Sequence, residues 1–348
     1  MFSGVTRRLF VWTAIIALCM VAALPGSTGS TALASRGGAG TRAMTDVQFI
    51  LSWLPNVQYA GLWVAQQKGW WAQAGIRMHF TPYSESVHPE TDVPTRGGNT
   101  FGFQSGAAIV IARDRSVPIQ AVYADAQRSV FGLMVLASSN IHSLKNLKGK
   151  RVGYKPHELY VPETMLANVG LSRTQWAPRQ VGFDPIVLSA GQVDALSCFL
   201  INEPIALALK GIKTRTFRAA DYGFHFYDNV LFTTTSLMKS NPSLVRRVVT
   251  VAARGFAWAH KHPDAAARLT VAHYFPSQTG YSAAQNLRQQ MLESETFRQF
   301  TRSANGRYDG LMNTATWRES VATLYRYGEI KSKPAAVGMY TNRFNPNA

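Results

Sequence analysis

The residues best suited to hold a ligand sit where apolar runs end. Trp53 and Asn56 follow the strand-like stretch 47–52, and Tyr59 opens the helical spacing that comes next. A flat ligand needs aromatic faces to stack on and a few fixed polar groups to orient it. Gln104, Ser105 and Gly106 lie where a second strand-like run, 100–104, gives way to a helix. Unused backbone N–H groups at such a turn can hold an anionic or carbonyl group. Gln127 and Ser129 come just before the apolar run 131–137, and Asn229 just before 230–234. Tyr154 and Glu158 follow the run 150–154; one can stack and the other can accept from an amino group. Glu203, before Pro204, is the sharpest polar candidate, since a carboxylate there can take two hydrogen bonds from one ligand edge. Each residue also has a structural reading. Trp53 can pack a core, Asn56 and Ser105 can cap helices, and 154–158 can be a solvated loop. Glu203 can be a first-turn acid with Pro204 at the first helical position.

Motifs for other chemistry are missing. There is no H-E-x-x-H, and the eight histidines do not cluster at metal-ligand spacing. There is no Walker A or dinucleotide glycine fingerprint. Gly102-Phe-Gln-Ser-Gly106 places its serine one position late for a nucleophile elbow. No catalytic residue, metal or cofactor is therefore expected.

The elements that must position these residues alternate. Strands are expected at 47–52, 76–81, 100–104, 119–123, 131–137, 150–154, 180–183 and 230–234. Helices are expected at 58–68, 106–113, near 163–168, after Pro204, and at 242–262, 264–273, 283–295 and 316–327. Residues 82–99, with Pro82, Pro89 and Pro94, read as irregular. Alternating strands and helices imply parallel-leaning sheets covered on both faces. Two α/β lobes joined by two crossings would leave a ligand cleft: lobe one from 46–130 plus 235–348, lobe two from 131–234.

The chain has 348 residues, 46% hydrophobic and 16% charged, which excludes a disordered protein and suits about two domains of ~150 residues. Its net charge of +17 arises from 36 bases against only 19 acids. The bases are scattered, so a general surface property fits better than nucleic-acid binding. Arg7 and Arg8, an apolar run over 9–24 and Ala32-Leu-Ala34 read as a signal peptide over 1–34, followed by a flexible leader over 35–45. The apolar run is shorter than the ~20 residues of a spanning helix. Thr6-Arg-Arg-Leu-Phe-Val11 also resembles a twin-arginine export motif. A periplasmic or other extracytoplasmic location is expected. The one cysteine past residue 34, Cys198, lies in the apolar run 195–201 and reads as a buried small residue.

Seven segments in chain order resemble the solute-binding proteins of ABC importers, most closely the branch related to thiamine-pyrimidine synthase. They are Leu51-Ser-Trp-Leu-Pro-Asn56 with Tyr59-Ala-Gly61 and Ala65-Gln-Gln-Lys-Gly-Trp-Trp71; Phe101-Gly-Phe-Gln-Ser-Gly106; Val117-Pro118; Ser143-Leu-Lys-Asn-Leu-Lys-Gly-Lys-Arg-Val-Gly153; Gly191-Gln-Val-Asp-Ala195 with Asn202-Glu-Pro204; Val230-Leu-Phe-Thr-Thr234; and His262-Pro-Asp-Ala-Ala266. The resemblance spans roughly 47–275.

The resemblance implies a type II periplasmic-binding-protein fold, in which two α/β lobes close over a small ligand. Hinge crossings would fall near 131–137 and 230–234. It implies a monomer that hands its ligand to an ABC permease with its ATPase, touching the membrane only there. The ligand would be a thiamine-type pyrimidine or similar heteroaromatic, with Glu203 on an aminopyrimidine edge. Riboflavin, a sulfonate, taurine or nitrate are alternatives carried by relatives. The enzymatic relatives, pyrimidine-precursor synthases, carry a histidine in the first-helix motif and a later cysteine-rich segment. Here Tyr59 stands near the histidine position, and 222–229 holds no cysteine. An enzyme on this scaffold, or a basic cell-surface protein, are the competing classes.

Overall fold

Val47 and Phe49 alternate with polar Asp46 and Gln48, and this period-two pattern buries one face of the first strand. The computed structural model describes residues 43–84, 86–156, 158–276 and 282–348. The expected signal peptide over 1–34 and most of the leader lie outside the described residues. Ten strands form two five-stranded sheets. The first sheet contains β1 (Thr45–Ile50), β2 (Ile76–Thr81), β3 (Thr100–Gln104), β4 (Ile119–Ala126) and β10 (Asp228–Thr234) in the order β2-β1-β3-β10-β4. The second contains β5 (Phe131–Leu136), β6 (Arg151–Tyr154), β7 (Ala177–Gln180), β8 (Ala195–Phe199) and β9 (Thr214–Arg218) in the order β7-β6-β8-β5-β9.

The two sheets mirror each other. In each, one strand runs antiparallel to both of its neighbours. In the first sheet that strand is β10, which returns from the second; in the second it is β5, which arrives from the first. The remaining pairings are parallel. The chain therefore enters each lobe on its odd strand. Residues 131 and 230 lie inside these strands, so the crossings themselves are 127–130 and the segment between β9 and β10, not 131–137 and 230–234. Because β10 pairs with β3 and β4, residues 228–234 belong to the first sheet and not, as expected, to the second lobe. Asp228 Oδ2, at the start of β10, accepts from Val130 N at 2.9 Å and ties the first crossing to the return strand.

The helices cover the sheets. They are α1 (Ala60–Gln67), α2 (Trp70–Gln73), α3 (Pro89–Arg96), α4 (Gly106–Asp114), α5 (Tyr160–Asn168), α6 (Ile186–Ser189), α7 (Glu203–Leu209), α8 (Thr235–Ser240), α9 (Pro242–Lys261), α10 (Pro263–His273), α11 (Ala283–Phe297) and α12 (Thr314–Arg326). Helix α3 corrects the irregular reading of 82–99. Pro89 occupies its first position, where no N–H is needed, so only Pro94 costs a helical bond. Strand β7 begins at 177 rather than 180, and β9 was not anticipated because its Thr-Arg-Thr-Phe-Arg sequence is largely polar. Helices α1 and α9 cross at Gly61 and Gly255, and a Cβ on Gly255 would lie 2.0 Å from the Gly61 carbonyl oxygen. Helix α11 packs against both α7 of the second lobe and the turn 57–59 of the first, so it spans the cleft.

Candidate ligand-binding site

An inner cavity of about 60 Å³ lies between the lobes. The first lobe supplies Ser52, Gln58, Glu90, Gln104, Ser105, Asp228 and Asn229; the second supplies Glu158, Tyr160, Phe131 and Phe199. Most of these follow or end strands, at the sheet edges where open α/β folds place their ligands. The fold explains each position. Ser105 caps α4 by accepting from Ala108 N at 3.2 Å, and its hydroxyl meets Tyr160 Oη of the other lobe at 2.9 Å. Gln104 accepts from Ser105 N at 2.9 Å and donates to Glu90 Oε2 at 3.0 Å. Glu158 Oε2 accepts from Ser197 Oγ at 3.2 Å. The lining holds three carboxyls, Glu90, Glu158 and Asp228, and no lysine or arginine among the described residues. Burial pushes both the Glu158 and the Asp228 carboxyls up to about 7; Lys155 opposes the shift at Glu158, and the bond from Val130 N opposes it at Asp228.

An aromatic wall separates this cavity from an outer one of about 400 Å³. Trp53 stacks on Tyr83 at 6.1 Å and meets the edges of Phe183 at 5.1 Å and Phe199 at 5.3 Å. With its amide turned so that both ends find a partner, Asn202 accepts from Trp53 Nε1 at 3.0 Å and donates to Glu293 Oε1 at 3.3 Å, which joins both lobes to α11. Gln289 and Gln290 donate to the Glu293 carboxyl at 2.8 and 2.7 Å. Burial nevertheless pushes that carboxyl up to about 8, and the charge of Glu203 adds to the shift.

The candidate residues divide. Gln104, Ser105, Glu158 and Asn229 meet at the inner cavity, while Trp53, Asn56 and Glu203 line the outer one. Glu203 is not available to a ligand edge. It is buried in an ion pair with Lys155, and its other oxygen accepts from Phe199 N at 2.7 Å. Asn56 spends its side chain as a cap, accepting from Gln58 N at 2.9 Å. Tyr59 is a core residue: its hydroxyl bonds Ser52, and its ring packs on Phe103 and Trp63. The turn at 104–106 offers few unused donors, because Gly106 N donates to Tyr227 O at 2.8 Å. Gly106 serves that close approach, where a Cβ would come within 2.9 Å of the same oxygen. Gln127 and Ser129 line a separate cavity with Arg218 and Phe300, behind the crossings. Tyr154 is half-buried and lines neither inter-lobe cavity.

Gln58, Glu90, Lys155, Tyr160, Asp228 and Glu293 were missed. Lys155 and Asp228 adjoin residues that were named, so strand-end position could have found them. Glu90 lay in the stretch read as irregular. Glu293 reaches the cleft only because α11 folds back across it, which no local pattern encodes. Among the described residues, no group of three or more histidine, cysteine, aspartate or glutamate side chains is arranged to hold a metal ion. No helix among them is long and apolar enough to cross a membrane.

A sequence model of the NMT1/THI5 like family matches residues 56–266. The chain is 28% identical over 314 residues to the riboflavin-binding protein RibY of Chloroflexus aurantiacus, covering 87% of each chain. It is 25% identical over 229 residues to the formylaminopyrimidine-binding protein of Halalkalibacterium halodurans, covering 64% of this chain and 69% of that one. Among solved structures, the alkanesulfonate-binding protein SsuA of Xanthomonas axonopodis pv. citri superposes with a TM-score of 0.64 at 13% identity, over 86% of this chain and 99% of that one. The shared architecture is the periplasmic-binding-protein fold.

Proposed function

Since the chain belongs to the NMT1/THI5-like family, we propose that it is the exported substrate-binding component of an ABC importer, taking a flat, N–H-bearing heteroaromatic of the aminopyrimidine type. The signal peptide over 1–34 delivers it outside the cytoplasm, and a permease with its ATPase receives the ligand. One observation carries the choice of ligand: the inner cavity is lined by carboxyls and amides, flanked by Phe131, Tyr160 and Phe199, and has no lysine or arginine in its lining. A sulfonate or nitrate placed there would meet three carboxyls, with Lys155 behind Glu158 rather than in the lining and His88 as the lining side chain able to carry a positive charge. An amino-substituted ring offers donors to those oxygens and two faces to the aromatic side chains.

The present closure leaves too little room for a ring, so the lobes part to admit one and Trp53 moves with the wall it forms. Capture rather than catalysis fits Tyr59, which stands near the position where the resemblance puts the synthase histidine and is turned into the core. The outer cavity favours a second ligand, a larger fused ring such as a flavin, because moving Trp53 would join about 400 Å³ to the inner space.

A thermal-shift panel of aminopyrimidines, flavins, sulfonates, taurine and nitrate tests the reading. A ligand at ~100 times its Kd adds about 2.7 kcal/mol to stability. Stabilisation by an aminopyrimidine or a flavin is expected; stabilisation by sulfonates alone would overturn the ligand assignment.

A further inference from the structure

Gln58 sits in the 3-10 turn just before α1, is 4% exposed, and lines the inner cavity. Its Oε1 has no hydrogen-bond partner, although it is buried. A buried acceptor without a donor is costly, and its presence in a cavity wall points to a group that arrives from outside. Which end of the amide is left unpaired is decided by the residues it bonds. His260 on α9 holds Asp125 on β4, Nε2 to Oδ1, at 2.7 Å. The other oxygen of Asp125 accepts from Asn229 Nδ2 at 3.2 Å, and the same Nδ2 donates to the Gln58 backbone oxygen at 2.9 Å. Both acceptors lack hydrogens to give, so the Asn229 amide cannot turn over. Its Oδ1 must then accept, and it does so from Gln58 Nε2 at 3.3 Å. The consequence for Gln58, a lining residue of the inner cavity, is that Nε2 is spent on Asn229 and Oε1 is the end left without a donor. Asn229 is fit for this post because it lies at φ 48°, a conformation asparagine adopts more readily than most residues.

From this chain we infer that Gln58 is a ligand-contacting residue that demands an N–H donor, and that His260, Asp125 and Asn229 are positioning residues that fix its polarity. The inference rests on the cleft being the binding site and adds the rule by which it selects. Its physical force is that a ligand with an acceptor or a methyl group at this point would leave the Gln58 oxygen buried and unpaired, which sites of this kind reject strongly.

The test measures affinities of the full mature chain for paired probes. The pairs are 4-amino-2-methylpyrimidine against its 4-dimethylamino analogue, and lumichrome against N-methylated lumichrome. Wild type should prefer the N–H member of at least one pair by about ten- to hundred-fold. Gln58→Leu should bring that ratio close to one, mainly by weakening the N–H probe. Asn229→Gly keeps the backbone conformation but releases the Gln58 amide to turn, and should lower the same ratio several-fold. A loss of packing alone would weaken both members equally, so the ratio separates contact from folding. Equal binding of both members by wild type, or an unchanged ratio in Gln58→Leu, overturns the inference while leaving the cleft as the site. No binding of either pair to wild type overturns it together with the heteroaromatic reading on which it rests.

Discussion

Lys155→Met should be the most damaging single change near the cleft. Lys155 and Glu203 are each about 2% exposed, and their charged groups are in contact. The Lys155 ammonium also donates to Ser197 O at 2.9 Å and lies 5.5 Å from the centre of the Trp53 ring. Burial alone would lower the Lys155 pKa, but the charges of Glu203 and Glu158 outweigh it and hold the value above the usual lysine range. Removing the ammonium leaves Glu203 buried with only Phe199 N as a donor. Losing one partner of a buried pair costs about 3–5 kcal/mol, a large share of the 5–15 kcal/mol that holds a typical protein folded. Adding Glu203→Gln removes the stranded charge, while the new amide oxygen can still accept from Phe199 N. The double variant should therefore recover to within about 1–2 kcal/mol of wild type, since a neutral replacement of similar volume is often close to neutral. Urea midpoints at constant slope, measured at pH 7 for the wild type, both single variants and the double variant, give the coupling energy. A cost below about 1 kcal/mol for Lys155→Met, or a double variant no more stable than that single one, would refute the reasoning.

Two further outcomes are expected. The Glu293 carboxyl titrates near 8 in the folded chain against 4.5 as its ordinary value, so the folded state holds a proton that the unfolded state has lost. Its contribution is fully present below about 4.5 and is lost as the pH rises through 8, with Glu158 and Asp228 acting in the same sense up to about 7. Denaturation at pH 5, 7 and 9 should show stability falling, and Glu293→Gln should flatten that fall by a few kcal/mol; an unchanged slope in the variant would remove Glu293 as a cause. Gly255→Ala should cost about 3 kcal/mol, because the new methyl meets the Gly61 carbonyl oxygen and forces α1 and α9 apart. A thermal or urea midpoint within ~1 kcal/mol of wild type would show that the crossing yields instead.

Most of the fold could be read from the sequence because period-two and period-3.6 patterns are local. Strand 76–81, for example, follows the alternation of Ile76, Met78 and Phe80 with polar residues, and strand 100–104 ends where its apolar run ends. The prolines of 82–99 misled because Pro89 starts a helix rather than breaking one. The site was legible only in outline. Strand-end position brought Gln104, Ser105, Glu158 and Asn229 to one cavity. It could not say whether a polar side chain would face a ligand or a neighbour. Glu203 looked available until Lys155, 48 positions earlier in the chain, came to rest against it. Tyr59 looked like part of the cleft because it directly follows a lining position, Gln58, and the rotation of a single residue along the turn carries it into the core. Gln58 itself stood in the gap between the quoted segments 51–56 and 59–61, yet only the bonds from Asn229 and Asp125 reveal what its amide does.

Filling the inner cavity from within tests the central claim most directly. Ala108 lies on α4 at the cavity wall and is half-buried, so Ala108→Trp, which needs the same parting of the lobes that admits a ligand, places an indole where the ligand ring is expected without disturbing the Ser105 cap, which uses only the backbone N–H of this residue. Isothermal titration of wild type with the aminopyrimidine or flavin that stabilises it should give one site per chain. The same titration of Ala108→Trp, folded as judged by its thermal midpoint, should give no measurable heat of binding. Undiminished one-to-one binding by that variant would contradict the account, because the ligand would then be held somewhere other than the cavity between the two sheets.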